Sequence, residues 1–368
     1  MKKQITKIAV TGGPCAGKSS FLSRIDKILT ARGYRVFLVS ETATELILGG
    51  IKPFDGCMSM YDFQTFLFPT QFAKEEIYFR AAQIVPEEKV VIVCDRGILD
   101  NKAYVTDEEF TKILHTLDKQ EISVRDSYDA VIHLVTAANG AEYAYTLSNN
   151  NARTETPEQA REMDQKTLHA WTGHPRLRVI DNSTDFEGKI TRAMNEIYSL
   201  LGEPFPLRSQ RKYLIEKPSL EQLAQHTSFS VTNVMRTYLN QSEFGAERRI
   251  LQVGQNGDFV YYYSERRILA NGEIAEQEEH IDEKNYLALL MDADTRFHPL
   301  GCKQISFIYC NQNFRIDLYP FSDDHAVMQL DLTSVSEGIV LPDFLSVIRE
   351  VTDDPSYRSY AISLEPHL

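Results

Sequence analysis

The sequence has little cysteine, no long apolar run and no excess of positive charge, and each of these shortages argues against a class of protein. The cysteines are far apart and none forms a C-x-x-C pair, which argues against a disulfide framework or a zinc site and fits a reducing compartment. No apolar stretch approaches the roughly 18 to 20 residues of a membrane span, and no signal peptide precedes the first predicted strand. We therefore expect a cytoplasmic protein. The five cysteines are Cys15, Cys57, Cys94, Cys302 and Cys310.

Acidic residues outnumber basic residues by 52 to 39, which gives a formal net charge of -13. This balance argues against a general nucleic-acid binder, although a local basic channel is compatible with an acidic total. The hydrophobic content of 43% and the charged content of 25% are those of a soluble globular protein. A chain of 368 residues is expected to form two domains. Nothing in the sequence indicates an oligomeric state.

A complete phosphate-binding motif follows the first predicted strand. A strand, a glycine-rich loop and a helix N-terminus, in this order, form an anion site from backbone N–H groups. We expect Lys18 to reach the β- and γ-phosphates, the Ser19 hydroxyl to ligate Mg²⁺, and Ser20 to belong to the same segment. The sequence therefore predicts binding of a nucleoside triphosphate, ATP or GTP, with Mg²⁺. The motif G-x-x-x-x-G-K-[ST] is matched at every defined position by Gly12-Gly13-Pro14-Cys15-Ala16-Gly17-Lys18-Ser19, between an apolar run at 5–10 and an amphipathic stretch at 18–25.

Charged residues end the next two predicted strands. Glu41 follows an apolar run at 34–40, and Asp95 and Arg96 end another at 89–96. Alternating strands and helices indicate a parallel sheet, and ligands bind at the carboxyl ends of its strands. Asp95 is a candidate Mg²⁺ ligand or a group that orients an attacking oxygen, and Arg96 is a candidate contact of the transferred phosphoryl group. Glu41 either acts on a bound substrate or its metal, or caps the following helix, and the spacing leaves both interpretations open.

Later segments add further candidates. Arg153 lies in a polar loop before the helix start at Thr156-Pro157-Glu158-Gln159, and belongs either to the lid of a phosphoryl-transfer enzyme or to a solvated loop. Asn182 follows the predicted strand at 177–181, where the loop of a nucleotide-kinase-like sheet borders the base, so it is a candidate base contact. Gln71 and Arg80, on a predicted long helix, are further polar candidates.

The pattern changes at the breaking segment 202–206, and the second half is rich in strands. This pattern predicts an antiparallel β domain, so we expect domains at 1–203 and 207–368. Basic residues recur along these strands; they form either a solvated strand face or, on a closed barrel, a set that converges on an anion in the lumen. Strand-like runs lie at 210–216, 229–239, 247–253, 258–264, 303–310, 313–319 and 326–333, and helical signals chiefly at 284–292 and 342–350.

These motifs resemble those of a known two-domain family. The first half is similar to the P-loop ATPase (AAA) domain shared with bacterial nicotinamide-ribonucleotide kinases, and the second half to a CYTH domain, the triphosphate-tunnel fold. The combination is similar to the TRPL-translocation-defect family of animal proteins and its bacterial relatives. The most specific carriers of the resemblance are the segments 11–19, 95–97, 152–158, 179–189, 211–215, 247–250 and 314–319.

The resemblance implies an α/β P-loop NTPase with a parallel, nucleotide-kinase-like sheet, followed by an α+β CYTH-like antiparallel β-barrel. It also implies ATP or GTP with Mg²⁺ in the first domain and a phosphate-lined tunnel in the second. The partners are then a nucleoside triphosphate and a phosphorylated small molecule or headgroup. The expected tunnel residues are Lys212, Arg236, Arg249, Arg267, Lys303 and Arg315.

The second half departs from the family pattern at the metal-binding strand. The family carries E-x-E-x-K there, and the aligned positions are Arg208, Gln210 and Lys212, so only the lysine is kept. Without those glutamates we expect a tunnel that binds a phosphorylated ligand but does not hydrolyse it. A substitute metal group at Asp317, Asp331 and Glu216 would instead allow hydrolysis.

Several functions are compatible with these motifs. We expect Mg²⁺-dependent hydrolysis of ATP or GTP in the first domain, coupled to ligand binding in the second. The alternatives are a small-molecule kinase of the nucleoside or ribonucleotide type, a metal-dependent triphosphatase in the second domain, and a non-catalytic scaffold. A kinase would use Glu41 or Asp95 as the base, with Arg96 and Arg153 on the transferring phosphoryl group. The intact Lys18, Ser19 and Asp95 argue against a scaffold.

Overall fold

The computed structural model describes residues 3–142, 156–203, 210–241, 246–268, 274–333 and 338–368. The chain divides into two compact units, Met1–Leu201 and Gly202–Leu368. The division falls at the segment where the sequence pattern changes. Among the described residues, every helix is too short or too polar to cross a bilayer.

The first unit alternates strands and helices around a parallel sheet. Its described strands pair in the order β2-β3-β1-β4-β5, and every pairing is parallel, which confirms the predicted α/β class. The strands are β1 (Gln4–Thr11), β2 (Arg35–Val39), β3 (Lys89–Asp95), β4 (Ala130–Leu134) and β5 (Leu177–Ile180). The helices are α1 (Lys18–Thr30), α2 (Thr42–Leu48), α3 (Met60–Ile84), α4 (Asp107–Thr116), α5 (Glu121–Arg125), α6 (Pro157–Ala170) and α7 (Phe186–Leu200), with a 3₁₀ helix at Ile98–Tyr104.

The order of the strands positions the phosphate loop. β1 lies between β3 and β4, with Val10 opposite Asp95 and Thr11 opposite His133. Central parallel strands are covered on both faces, which explains their continuous apolar sequences. On one face, α1 buries an i, i+4, i+8 stripe against the sheet, formed by Phe21, Ile25 and Leu29. The loop after β1 therefore lies beside the carboxyl ends of β3 and β4.

The second unit is built on an antiparallel sheet. Its described strands pair in the order β10-β9-β8-β7-β11-β12-β13-β6-β14, which confirms the predicted β-rich antiparallel domain. The strands are β6 (Gln210–Glu216), β7 (Phe229–Tyr238), β8 (Ala246–Gln255), β9 (Asp258–Ile268), β10 (Ile274–Ile281), β11 (Leu300–Tyr309), β12 (Gln312–Leu318), β13 (His325–Asp331) and β14 (Val347–Glu350). The helices are α8 (Leu220–His226), α9 (Glu283–Leu290) and α10 (Ser359–Leu364), with a 3₁₀ helix at Pro355–Tyr357.

One secondary-structure prediction in this unit is wrong. The helical pattern at 342–350 is not a helix, because Val347–Glu350 forms strand β14, which pairs antiparallel with β6. Pairing with a neighbouring strand overrides the local pattern. The predicted helix at 284–292 is confirmed as α9.

The two faces of the antiparallel sheet have separate cores. One face carries Leu214 of β6 and Val234 of β7, which share a buried cluster although three strands separate β6 from β7 in the sheet. The sheet must therefore curl around this side, which we call the concave face. The other side, the convex face, packs Ile215, Phe307 and Phe314 beneath α8.

Candidate functional site

The phosphate loop has a backbone that only glycine allows at two positions. Gly12 has φ 137° and Gly17 has φ 90°, both in the region that side chains rarely adopt. A Cβ on Gly12 would lie 2.1 Å from the Leu134 carbonyl oxygen, and one on Gly17 would lie 2.7 Å from the Phe186 ring. The two glycines of the motif are thus required by sterics as well as by the pattern.

The outer side of the loop is tied to the segment after β4 and to α7. Thr136 Oγ1 donates to the Pro14 carbonyl at 2.5 Å, and the Ala137 N–H donates to the Cys15 carbonyl at 3.3 Å. The buried Lys189 ammonium donates to the Ala16 carbonyl at 3.2 Å. No side chain of a described residue caps the N-terminus of α1. Its first N–H groups, which lack intrahelical acceptors, therefore suit a phosphate.

Lys18 is held by its own loop. Its Nζ donates to the carbonyl oxygens of Gly12 at 2.7 Å and Gly13 at 3.1 Å. Burial and the positive charge of Arg96 lower the pKa of Lys18 to about 8, although nearby carboxylates such as Asp95 oppose the shift. An anion placed at this ammonium would relieve an unfavourable environment, as expected for a phosphate-binding lysine.

Asp95 ends β3 with an unsatisfied oxygen. Its Oδ1 is buried and has no hydrogen-bond partner within the described part of the chain. Burial, followed by the negative charge of Glu41, raises the pKa of Asp95. The exposed Ser19 hydroxyl likewise makes no hydrogen bond to a described residue. The two oxygens fit Mg²⁺, which proteins usually hold through one or two side chains together with water and substrate phosphates.

Arg96 is oriented by two carboxylates. It adopts φ 68°, its Nε lies 2.5 Å from Glu41 Oε1, and its Nη1 lies 3.3 Å from Asp100 Oδ2. Glu41 occupies the N-cap position of α2 but makes no capping hydrogen bond; it accepts from Arg96 and from the Thr44 hydroxyl. Of the two interpretations left open by the sequence, the side-chain contacts favour a place in the phosphate site over a helix cap.

The remaining predicted residues of the first unit have different surroundings. Both hydrogens of the Asn182 amide are used by carbonyls, those of Thr136 at 2.8 Å and Asn139 at 2.7 Å, and its oxygen accepts from Lys189. Asn182 therefore braces the loops beside the phosphate loop instead of presenting its amide to a base. Arg153 lies outside the described residues.

The two polar candidates on α3 have different surroundings. Gln71 is buried and donates to the Arg96 carbonyl at 3.4 Å, so it helps to hold the backbone of Arg96. Arg80 is exposed and pairs with Glu76 on its own helix, which leaves it outside the site.

Sequence reasoning missed three buried residues around the site, Asp100, Asp164 and Trp171. Asp100, which lies in the 3₁₀ helix, accepts from Thr11 Oγ1 at 2.7 Å and from Trp171 Nε1 at 2.6 Å. Asp164 of α6 accepts from the Gly13 N–H at 2.6 Å. Only Asp100 had a local signal, since it lies four residues after Arg96.

The concave face of the second unit gathers most of the predicted basic residues. The register places Lys212, Arg236, Arg249 and Arg315 on this face, in line with the buried Leu214, Val234 and Asp317. Burial and the neighbouring guanidinium groups, Arg236 foremost, lower the pKa of Lys212, although Asp317 opposes the shift. Its ammonium makes no hydrogen bond to any residue that the structure describes.

Two predicted tunnel residues must be removed from the set. Lys303 is exposed and lies opposite Asn233 on the convex face, because the inward positions of β11 are Cys302 and Gln304. Arg267 is exposed and pairs with Glu265 on the outer side of β9. Alternation along a strand explains both cases, since neighbouring residues face opposite sides.

Two arginines outside the predicted tunnel set take their place. Arg266 is the inward neighbour of Arg267, and its Nη1 lies 3.5 Å from Glu247. Arg358, from the C-terminal segment, donates to the same carboxylate at 2.7 Å. Among the described residues, the basic residues of the concave face include Lys212, Arg236, Arg249, Arg266, Arg315 and Arg358, and its carboxylates include Asp317, Asp331, Glu247 and Glu278.

The proposed substitute metal group does not form. Asp317 accepts from Gln304 at 2.7 Å and Gln329 at 3.0 Å, and lies 3.5 Å from Arg236. Asp331 pairs with Arg315 at 2.6 Å, whereas Glu216 is exposed at the far end of β6. Within the described ranges, no three His, Cys, Asp or Glu side chains are grouped so that they could hold a metal ion.

Comparison with known proteins agrees with the site in the first unit. Residues 7–189 match the family model of an AAA domain. The first half of the chain is therefore similar to a nucleotide-binding domain, as the phosphate loop predicted. A comparison with curated protein sequences finds no significant match.

Solved structures resemble part of the chain. A structure described as the inorganic triphosphatase NE1496 is 18% identical, with a TM-score of 0.32, over 44% of this chain and 96% of that one. The hypothetical protein NE1496 gives 18% identity and a TM-score of 0.32, over 43% and 98%. The PH1012 protein from Pyrococcus horikoshii OT3 gives 13% identity and a TM-score of 0.25, over 33% and 77%. At these identities and scores, the activities of those proteins do not carry over to this chain.

Proposed function

We propose that the first unit binds ATP or GTP with Mg²⁺ and hydrolyses it, and that the second unit binds a phosphorylated small molecule or headgroup. The observation that carries the first part is the convergence of Lys18, Asp95 and Arg96 beside an uncapped helix N-terminus. Each group has the charge that a triphosphate and its metal need. The match of residues 7–189 to an AAA domain supports the same conclusion.

Each residue of the site has its own role in binding and hydrolysing the triphosphate. Lys18 exchanges its two loop carbonyls for phosphate oxygens, and the N–H groups at the start of α1 bind the same anion. Mg²⁺, held by Ser19 and Asp95, would neutralise charge on the transferring phosphoryl group. Arg96, which Glu41 and Asp100 hold, contacts that group in this proposal, and Asp95 orients the attacking water.

A kinase is the second candidate, because one observation favours it. Arg96 and Glu41 lie next to Lys18 as a fixed hydrogen-bond donor and a fixed hydrogen-bond acceptor, which the hydroxyl groups of a phosphoryl-accepting substrate would require. Arg153 would belong to the same reaction as a lid residue.

Phosphate release separates the two reactions. With Mg²⁺ and ATP or GTP, hydrolysis predicts steady release of phosphate without any acceptor, and EDTA should stop it. A kinase predicts phosphate release no faster than the uncatalysed background, with or without an acceptor. It predicts that ADP or GDP forms only when a nucleoside or ribonucleotide is added, because the phosphoryl group is transferred to a hydroxyl group of that acceptor. If the protein neither hydrolyses nor transfers the phosphoryl group and binds no nucleotide, the proposal is refuted.

The second unit is proposed to bind without hydrolysis. Basic side chains from several strands gather on the concave face, and the partly buried Lys212 ammonium makes no hydrogen bond to a described residue, so a phosphorylated ligand would give it a partner of opposite charge. The carboxylates of Asp317, Asp331 and Glu247 are already engaged by arginine or glutamine. An AAA-type unit followed by such a domain is the arrangement expected of the TRPL-translocation-defect family, and membership is part of this proposal.

A further inference from the structure

Helix α6 contacts the phosphate site at two separate points. Asp164, inside the helix, and Trp171, its C-cap residue, are seven residues apart and therefore lie on one face, two turns from each other. Both side chains are fully buried. This face packs against the phosphate loop at one end and against the segment after β3 at the other.

The first contact holds the phosphate loop. Asp164 Oδ1 accepts the Gly13 N–H at 2.6 Å, and a Cβ on Gly13 would lie 2.8 Å from that carboxylate. His133 Nε2 lies 3.3 Å from the same oxygen. A buried carboxylate is costly unless it is hydrogen-bonded or paired. The position of α6 and the position of Gly13 are therefore linked.

The second contact holds the carboxylate that orients Arg96. Trp171 Nε1 donates to Asp100 Oδ1 at 2.6 Å, while Asp100 Oδ2 lies 3.3 Å from Arg96 Nη1. The indole also packs against Gly97, where a Cβ would lie 2.5 Å from the ring. Trp171 thus fixes Asp100 on the side away from the guanidinium.

We infer that α6 sets the spacing between the phosphate loop and the Arg96–Asp100 pair, with Asp164 and Trp171 as its two positioning residues. The inference rests on the proposed nucleotide chemistry. Neither residue touches the nucleotide, and each acts through a group that does. Loss of the first contact frees the loop that binds phosphate, so it weakens nucleotide binding. Loss of the second lets Asp100 and Arg96 shift, so it slows turnover.

The test compares four variants of the intact chain. Asp164→Ala removes the acceptor, Asp164→Asn keeps an oxygen for the Gly13 N–H, and Trp171→Phe keeps a ring but removes the donor. Glu196→Gln is the control, because it weakens another buried ion pair of this unit, at 2.8 Å from Arg178 and two turns along α7 from Lys189. Hydrogen exchange of the ligand-free protein, affinity for Mg²⁺-ATP and Mg²⁺-GTP, and steady-state turnover are measured for each.

We expect faster exchange at residues 12–19 and about tenfold weaker nucleotide binding in Asp164→Ala, with both largely restored in Asp164→Asn. Trp171→Phe should lower kcat by roughly tenfold or more with little change in KM. Glu196→Gln should lower only the melting temperature.

The inference is overturned if Asp164→Ala behaves like Glu196→Gln in exchange and affinity, or if Trp171→Phe leaves kcat unchanged. If Asp164→Ala does not fold, the kcat of Trp171→Phe alone tests the inference. A wild-type protein that binds no nucleotide would refute the proposed function alone, and loop exchange would still test the role of α6.

Discussion

Arg96 Nε lies 2.5 Å from Glu41 Oε1, which joins the segments that follow the neighbouring strands β2 and β3. Burial raises the pKa of Asp95, and the nearby negative charge of Glu41 raises it further. Glu41 therefore acts on two groups of the site at once, because it orients the guanidinium of Arg96 and raises the pKa of Asp95.

Glu41→Gln should shift the pH profile of turnover. Removal of the negative charge favours the ionised form of Asp95, so its pKa falls. If turnover requires ionised Asp95, the acidic limb of the kcat/KM profile moves to lower pH than in the wild type. An acidic limb that does not move would mean that Asp95 ionisation does not limit the reaction.

Asp95→Asn should separate turnover from binding. We expect phosphate release to fall by roughly 100-fold while the nucleotide still binds, because the carboxylate orients the attacking water and helps to hold the metal. Asp107→Asn, at an exposed position of α4, is the matched control and should leave the rate unchanged. Wild-type turnover in Asp95→Asn would make Asp95 an ordinary strand-end residue.

Nucleotide affinity should fall in alkaline solution because of Lys18. Burial and Arg96 lower its pKa to about 8, so the free protein loses this positive charge as the pH rises above 8. Affinity should then drop by up to about tenfold per pH unit until Lys18 in the complex also deprotonates.

Lys18→Arg stays charged and should show a flatter profile. Lys189, whose pKa burial also lowers to about 8, is present in both proteins, so the difference between the profiles reports Lys18. Identical profiles for the two proteins would contradict the assignment.

Lys212→Ala should weaken ligand binding in the second unit. In a Lys18→Ala background, which silences the first site, tripolyphosphate should bind the intact chain with an affinity that falls as salt rises. Loss of a charge-assisted contact should reduce affinity by about tenfold or more.

Lys303→Ala provides the matched control, since this lysine is exposed on the convex face and should have no effect. No phosphate should be released with Mg²⁺ or Mn²⁺. Metal-dependent hydrolysis that Lys212→Ala abolishes would reveal a metal site and reverse the account of the concave face.

The parts of the site that sequence could predict are local. The loop at 12–19 and the acid at the end of β3 are each defined by a few neighbouring residues. Asp164 reaches Gly13 across 151 positions and Trp171 reaches Asp100 across 71, so no short pattern records either contact. The packing of α6 decides both.

The limits in the second unit have a different cause. Arg266 and Arg267 are adjacent on one strand and must face opposite sides, but only the pairing of β9 with β8 shows which one faces inward. Arg358 belongs to no strand, so strand alternation could not place it on the concave face. Strand register and the path of the C-terminal segment both depend on contacts between residues that are far apart in the sequence.

The most direct test of the account is titration calorimetry of the intact protein with ATP and with GTP, with and without Mg²⁺. We predict that the wild type binds at least one of them, that Lys18→Ala loses most of this binding, and that Ser19→Ala loses mainly its Mg²⁺ dependence. Lys27→Ala, in the last turn of α1, should match the wild type. Wild-type, Mg²⁺-dependent affinity in Lys18→Ala would contradict the central claim that the first unit binds a triphosphate at this loop.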